Sequence, residues 1–159
     1  MKTLGKIVLW LVVIAAIAAG AFYFLVVRPG QQFVEDNKEV LLKTVANFEK
    51  CLVEGSAQVC RDKLMTEEAK KAAPAEGLTL LGAKIKTNLG KRLNVEPEEK
   101  SFTWKKYAGT GGYNFTINFT LKVAYEKDPN ASETVSVMSH NGEPFLIQAW
   151  RINSNQMLK

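Results

Sequence analysis

Residues 113–125 of this chain read YNFTINFTLKVAY. Aromatic and aliphatic residues occupy every odd position of this stretch, while asparagine, threonine and lysine occupy most of the even positions. Such an alternation, with a period of two, places successive side chains on opposite faces of a β-strand. The stretch therefore predicts one long strand, with an apolar face turned toward a core and a polar face turned toward water.

Three shorter strand patterns flank this long strand. Ser101–Tyr107 precedes it across a glycine-rich turn, and Glu133–Ser139 follows it after a turn that contains proline. Pro144–Asn153 comes last, behind the dipeptide Asn141-Gly142, and Asn-Gly between two strand patterns is a strong hairpin signal. The sequence therefore predicts a four-stranded antiparallel sheet.

Helical patterns fill the region before the sheet. Their predicted bounds are Gln31–Val53, Ala57–Met65, a short piece capped by Thr66, and Thr79–Leu89. Gly55 and Gly90 indicate two helix ends, and Glu49 is expected away from the apolar stripe of the first helix. The result is a helical hairpin and a short helix packed on the sheet, which is an α+β fold.

An uncharged segment of 21 residues, Ile7–Val27, lies near the start of the chain. As a helix it would extend about 31 Å, close to the ~30 Å hydrocarbon core of a bilayer. Arg28-Pro29-Gly30 follows it with a charge and a helix breaker, which predicts the end of a transmembrane helix there. The alternative is a cleaved secretory signal, because Ala19-Gly20-Ala21 offers small residues of the kind that a signal peptidase accepts.

Basic residues set the expected orientation of this helix. Lys2 and Lys6 precede it, which favours a cytoplasmic amino terminus. The predicted organisation is a cytoplasmic tail (1–6), a transmembrane helix (7–27), a short linker (28–30) and an exported domain (31–159). The expected location is the inner (plasma) membrane, with a single pass and a periplasmic or extracellular C-terminal domain.

The two cysteines, Cys51 and Cys60, both lie in the part expected to be exported. They flank the predicted helical hairpin and are not in a Cys-x-x-Cys arrangement. In an oxidising compartment this spacing predicts a disulfide that staples the hairpin.

Charge and motif content exclude several functions. The net charge is +5, but Lys2, Lys6 and Arg28 contribute three of those charges, which leaves 18 basic against 16 acidic residues after Arg28. Such a balance argues against a nucleic-acid partner. His140 is the only histidine, so neither a metal site nor a hydrolytic triad is expected, and nothing in the sequence indicates a cofactor.

The order of these elements resembles the cone-shaped fold of nuclear-transport-factor-2-like and cystatin-like domains. The residues that carry the resemblance are Leu89-Gly90, Gly112-Tyr113, Glu133-Thr134-Val135, Gly142 with Phe145, and Trp150-Arg151-Ile152. Small bacterial exported domains of unknown function have a similar run, usually with tryptophan where Phe145 stands and tyrosine near Trp150. The resemblance covers about residues 31–153 and implies a curved sheet, but no active site.

Folds of this kind often leave an apolar pocket between the sheet and the helices. The side chains expected to line it here are Phe115, Phe119, Trp104 and Trp150. In the anchor, Ala16 and Gly20 form a small-x-x-x-small pair that could seat a partner helix or a second copy of the chain.

Two function classes follow from this sequence. The favoured one is a non-enzymatic binding or accessory module, anchored in the membrane, which engages an envelope protein or a small apolar ligand. The alternative is an enzyme on the same fold, which needs a carboxylate near the sheet. Asp128, Glu133 and Glu143 lie near strand ends and are the candidates, but each is expected to be a solvated turn residue, because the inner face of the sheet is predicted to be apolar throughout.

Overall fold

Helices precede an antiparallel sheet in this protein, which confirms the predicted α+β class. The structure is a computed structural model that describes residues 2–158, with side chains for residues 10–25 and 27–157. The helices are α1 (Lys2–Phe22), α2 (Arg28–Glu54), α3 (Ala57–Leu64), α4 (Glu67–Ala72) and α5 (Ala75–Lys84). The strands are β1 (Arg92–Pro97), β2 (Thr103–Gly109), β3 (Gly112–Tyr125), β4 (Ala131–His140) and β5 (Leu146–Asn153).

The chain forms two compact units, of which the first ends at Asn37 and the second begins at Lys38. Over the part of the chain that the structure describes, one helix near the amino terminus is long and apolar enough to cross a membrane. This finding rests on length and composition, and a signal sequence at the same place would meet the same criteria.

The helical backbone does not end at Arg28-Pro29-Gly30 as the sequence predicted. A π-turn over Tyr23–Val27 connects α1 to α2, and the Arg28 N–H donates to the Tyr23 carbonyl five residues earlier. Pro29 has no N–H and its ring would meet the carbonyl four residues before it in an ordinary α-turn. The wider π-turn accommodates the proline, so the helix continues through the predicted linker.

The short helices of the second unit begin and end close to the predicted residues. The Thr66 hydroxyl accepts a hydrogen bond from the Ala69 N–H at 3.2 Å and caps α4. After α5, a π-turn over Ile85–Leu89 leads to Gly90, whose φ of 76° is accessible to glycine at little cost. The last helix starts at Ala75, earlier than predicted, because Pro74 in extended conformation serves as its N-cap.

Cys51 and Cys60 form a disulfide, as predicted. Their α-carbons are 5.7 Å apart, within the range that a disulfide spans. The bond joins the last turn of α2 to α3 across the turn at Gly55 and Ser56. The helical hairpin is therefore covalently closed.

The sheet has five strands rather than the four predicted. The main path runs β1-β3-β4-β5, every pair is antiparallel, and β2 also pairs with β3. β2 lies against the first half of β3 and β1 against the second half, so these two short strands share one edge of an open sheet. β1 was missed because its sequence, RLNVEP, has polar residues and a proline and no sustained alternation.

The apolar face of β3 lies in the core, as its alternation predicted. The odd positions from Phe115 to Tyr125 are buried, whereas Tyr113, which was predicted to share this face, is 38% exposed. On the helical side, α5 approaches α2 so closely at Gly82 that a Cβ atom there would lie 2.2 Å from the Leu52 carbonyl oxygen. This backbone contact fixes α5 against the carboxyl end of α2. The same end of α2 lies over the sheet, because the Phe48 and Trp150 rings meet edge to face with centroids 5.5 Å apart.

Candidate functional site

Glu133 is fully buried in the inner face of the sheet, which corrects the prediction that it is a solvated turn residue. Its Oε1 accepts a hydrogen bond from the Tyr125 hydroxyl at 2.8 Å, and its Oε2 accepts one from Trp150 Nε1 at 2.9 Å. Residues Ala131, Val135 and Val137 of the same strand are also buried, so the pleat of β4 turns this carboxylate inward with them. The inner face of the sheet is therefore not apolar throughout.

Arg92 joins Glu133 to a second buried carboxylate, that of Glu49 on α2. Arg92 Nη2 lies 3.2 Å from both oxygens of Glu133, and Arg92 Nη1 lies 3.0 Å from Glu49 Oε2. The contact between Arg92 and Glu49 is an ion pair only, since no donor is placed to form a hydrogen bond with Glu49 Oε2. Glu49, Arg92, Tyr125, Glu133 and Trp150 are called the buried charge cluster below.

A β-bulge in β1 turns Arg92 toward this cluster. Arg92 pairs with Tyr125 and Asn94 with Ala124, so three residues of β1 oppose two of β3. In a regular strand, Leu93 would share the inner face with Val95 and Arg92 would point to the other side. The extra residue turns Arg92 to the inner face instead and leaves Leu93 63% exposed.

The buried charge cluster has more negative than positive groups. With both carboxylates ionised, two negative charges face one guanidinium, which leaves one uncompensated negative charge in the core. Burial raises the pKa of Glu49 to about 7, with Arg92 opposing the shift and Glu133 adding to it. Burial and the two carboxylates also raise the pKa of the Tyr125 hydroxyl, which therefore stays protonated.

The cluster reaches the surface at a groove between the carboxyl half of α2 and the start of β1. The inner part of this groove has a volume of about 210 Å³ and the adjoining outer part about 630 Å³. Both parts share Val53, Glu54, Gly90 and Lys91, and the inner part also contains Glu49 and Arg92. We call this surface the α2–β1 groove. It places Glu49, whose pKa is near neutral and whose side chain is 7% exposed, in the lining of the inner part.

We expect the unfolding free energy to fall as the pH rises from about 5 to about 8. The folded pKa of Glu49, about 7, lies above its ordinary value of 4.5, so the folded state binds the proton more tightly than the unfolded state. The protonated Glu49 contributes its full stabilisation when the pH is below the unfolded pKa of 4.5. This contribution is lost as the pH rises through the folded pKa of about 7, with a slope of at most about 1.4 kcal/mol per pH unit. Chemical denaturation at several pH values measures it.

Glu49→Gln should flatten this pH dependence, because the glutamine cannot ionise. Glu143→Gln is the matched control, since Glu143 is an exposed carboxylate in the turn before β5. A parent protein whose stability rises from pH 5 to pH 8, or a Glu143→Gln variant that alone flattens the profile, would contradict the assignment.

The four residues predicted to line an apolar pocket each contact another aromatic ring. Trp104 stacks on Phe115 with ring centroids 5.6 Å apart, and Phe119 stacks on Phe102 at 5.1 Å. Trp150 contacts Phe48 and donates to Glu133, which places it in the buried charge cluster. A ligand pocket at these residues, like pairing of the anchor through Ala16 and Gly20, stays a prediction.

Asp128 and Glu143, the other candidate carboxylates, lie in turns, as predicted. Asp128 Oδ1 accepts from the Asn130 N–H at 3.1 Å, and its Oδ2 contacts the Ser154 hydroxyl. The Glu143 N–H donates to the His140 carbonyl at 2.8 Å. Both residues stabilise connections between strands. None of these contacts involves a residue of the buried charge cluster.

His140 is held between two asparagines next to the Asn141-Gly142 turn. Its Nδ1 lies 2.9 Å from Asn114 Oδ1 and its Nε2 lies 3.2 Å from Asn141 Nδ2. An amide oxygen only accepts and an amide nitrogen only donates, so this pair of contacts assigns the proton to Nδ1. Among the described residues, no group of three or more His, Cys, Asp or Glu side chains is placed to hold a metal ion.

Comparison with protein-family models, curated proteins and solved structures finds no match to this chain. The resemblance to nuclear-transport-factor-2-like and cystatin-like domains therefore stays a prediction. The candidate site rests on the residues of this chain alone.

Three members of the buried charge cluster were not predicted from the sequence: Glu49, Arg92 and Tyr125 in its polar role. Glu49 was expected to face water, but it follows Val45 by four residues and so lies beside the apolar stripe of α2, where it is 6% exposed. The spacing of Glu49 from Val45 could therefore have indicated that Glu49 is buried. The position of Arg92 depends on the bulge in β1, which no local pattern indicates.

Proposed function

We propose that this chain is a single-pass protein of the inner membrane, whose second unit is exported and works as a non-enzymatic binding or accessory module. The apolar amino-terminal helix supports the anchor, and the Cys51–Cys60 disulfide supports an oxidising compartment for the second unit. In this proposal the module engages an envelope protein or a small ligand.

The observation that carries the binding role is the α2–β1 groove. A protein core seldom holds a net charge, because an uncompensated buried ion is costly. Here the surplus carboxylate of the buried charge cluster lies at a groove whose rim bears Lys50, Lys91 and Glu54. Charged rims around a concave site favour specific recognition of polar partners.

Crosslinking in native membranes tests this role. A photoreactive amino acid at Lys91, on the rim of the groove, should yield an adduct of discrete mass. The same residue placed at Lys105, which is exposed on β2, is the control. No adduct from position 91, or the same adducts from both positions, would argue against a protein partner at this groove.

The orientation of the anchor gives a separate prediction. Protease added outside spheroplasts should digest the chain after Gly30 and spare the amino terminus, because Lys2 and Lys6 favour a cytoplasmic tail. Immunodetection of tags at the two ends measures this. Recovery of a soluble periplasmic product that begins near Phe22 would show instead that the helix is a cleaved signal.

Glu49 supports a second candidate, an enzyme that transfers a proton at the groove. A carboxylate with a pKa near 7 is suited to general acid–base chemistry, and Arg92 lies beside it. A Glu49→Gln variant that keeps its crosslinked partner and its fold, but fails to complement a deletion strain, would favour the enzyme over the binding module.

A further inference from the structure

The turn between β2 and β3, with the strand ends beside it, exposes tyrosine and lysine side chains. We call residues 105–113 the hairpin tip. Tyr107 and Tyr113 are 44% and 38% exposed, and Lys106 Nζ lies 4.2 Å from the centroid of the Tyr113 ring. Tyr107 lies on the other face of the sheet, where its hydroxyl contacts Met138 Sδ at 3.4 Å. The hairpin tip therefore presents an aromatic ring on each of its faces.

The neighbouring turn between β4 and β5 holds the hairpin tip in place. Asn141 Oδ1 accepts a hydrogen bond from the Tyr113 N–H at 2.9 Å, and Asn141 Nδ2 donates to the Gly111 carbonyl at 3.2 Å. The Asn141 N–H also donates to the Tyr113 carbonyl at 2.9 Å. The tip is therefore ordered before it meets any partner, which lowers the entropic cost of binding.

Within the second unit, α2 runs along the sheet in the same direction as β3. Lys38, where the unit begins, has its Nζ 5.9 Å from the centroid of the Phe102 ring, and Phe102 stacks on Phe119 in the middle of β3. Further along α2, Glu49 contacts Arg92, which pairs with the last residue of β3. The start of β3 is therefore at the end of the unit where the chain enters.

The hairpin tip projects from this end of the unit. From Phe119 back to Gly112, β3 extends for seven residues, or roughly 24 Å at about 3.4 Å per residue. In sequence, ten residues lead from Arg28, next to the apolar segment, to Lys38, and ten residues extend at most about 35 Å. If the apolar segment spans a membrane, chain length alone keeps the hairpin tip within reach of the lipid surface.

The charge of the hairpin is suited to an anionic surface. The segment Lys100–Tyr125, which includes β2 and β3, contains four lysines and no aspartate or glutamate. Lys105 and Lys106 belong to the hairpin tip, and the adjacent turn contributes one exposed acidic residue, Glu143. Lysine is attracted to anionic lipid headgroups, and tyrosine is enriched at the boundary between membrane and water.

We propose that the hairpin tip docks on the surface of the bilayer that holds the amino-terminal helix, where it contacts anionic phospholipids. This inference rests on the anchor of the proposed function. Lys105 and Lys106 pair with lipid phosphates, while the rings of Tyr107 and Tyr113 lie among the headgroups with their hydroxyls hydrated. The α2–β1 groove is at the opposite end of α2, so docking turns the groove away from the lipid and toward an envelope partner.

Fluorescence quenching in nanodiscs tests this docking. The full chain is reconstituted in phosphatidylglycerol and phosphatidylcholine, part of which carries a paramagnetic quencher on the headgroup. Thr110→Cys places a fluorophore in the hairpin tip, and Asn130→Cys places it in the turn at the opposite end of the sheet as a control. Cys51 and Cys60 form a disulfide, so they do not react with the label.

We expect severalfold stronger quenching at position 110 than at position 130. Replacing phosphatidylglycerol by phosphatidylcholine should reduce the quenching at position 110, because the lysines then lose their anionic partners. Equal quenching at the two positions would overturn the docking, and quenching at position 110 that does not depend on phosphatidylglycerol would overturn the role of the lysines.

Lysine variants then test the contact itself. The double variant Lys105→Gln, Lys106→Gln should lower the ratio of docked to undocked tip by about fivefold per lysine. Lys122→Gln is the control, because Lys122 is exposed on β3 far from the hairpin tip, and it should behave as the parent does. Unchanged quenching in the double variant, with its fold verified by circular dichroism, would overturn the pairing with lipid phosphates.

Failure of the docking and failure of the anchor give different results. A chain that does not enter nanodiscs would remove the anchor and the docking together. A chain that enters nanodiscs but leaves position 110 unquenched would keep the anchor and overturn the docking. An unquenched tip that crosslinks to a protein in native membranes would assign the hairpin tip to a protein partner instead of lipid.

Discussion

Arg92→Met is expected to lower the unfolding free energy by about 3–5 kcal/mol at pH 8. Arg92 is the one cation that contacts both Glu49 and Glu133 within the buried charge cluster. Methionine keeps a long flexible side chain but removes the charge, so two carboxylates remain in the core without a counterion. The penalty should shrink as the pH falls toward 5, because Glu49 is then protonated and no longer needs a counterion.

Chemical denaturation of the purified chain at pH 8 and pH 5 measures this effect. The matched control is the triple variant Arg92→Met, Glu49→Gln, Glu133→Gln, which removes all three charges together. Replacing a complete buried ionic group by neutral residues is often tolerated, so the triple variant should recover much of the lost stability. A single variant as stable as the parent at pH 8 would show that Arg92 does not balance the cluster.

Gly82→Ala is expected to lower the unfolding free energy by about 1–3 kcal/mol. The added methyl group would lie 2.2 Å from the Leu52 carbonyl oxygen and 2.9 Å from its carbon. These are backbone atoms of α2, which cannot rotate away as a side chain would. α5 must therefore move off α2, and its buried contacts must loosen with it.

Gly77→Ala in the same helix is the control for this prediction. Its added Cβ would meet only the Pro74 ring at 3.7 Å, which is ordinary contact. Alanine has the better helix propensity, so this variant should gain about 0.5–1 kcal/mol. Thermal unfolding of both variants would decide the point, and an equal response at the two positions would mean that the approach of α5 to α2 is not close.

The burial of Glu133 changes what a substitution at this residue would report. The sequence predicts that Glu133 is a solvated turn residue. In the structure its carboxylate accepts hydrogen bonds from Tyr125 and Trp150 and pairs with Arg92. Loss of function on replacing Glu133 would therefore report on the core as well as on any chemistry.

Local pattern determined much of this fold. The alternation from Tyr113 to Tyr125 predicts β3 and its buried face, and Asn141-Gly142 marks the hairpin between β4 and β5. Thr66 and Gly90 mark helix ends by their own hydrogen-bonding and conformational preferences. Such signals depend on neighbours in sequence, so they can be read without knowing the rest of the molecule.

Part of the candidate site was also present in the sequence. Glu133 shares the parity of Val135 and Val137 on β4, and Glu49 lies four residues after Val45 on α2. The same periodicities that located the apolar core place both carboxylates inside it. A charged residue was expected to lie outside the apolar face whatever its spacing. Both carboxylates lie inside that face here, where each of them contacts Arg92.

Tertiary structure alone decided the remainder. The bulge between Arg92 and Asn94 exists only because β1 pairs with β3, and it reverses the face on which Arg92 lies. The pairing of β1 and β2 along one edge of β3, and the approach of α5 to α2 at Gly82, join residues far apart in the chain. The α2–β1 groove is formed by such contacts between α2 and the start of β1. The charged residues of the groove are therefore visible in the sequence. Their positions beside one another are not, because these positions depend on long-range strand register and close packing.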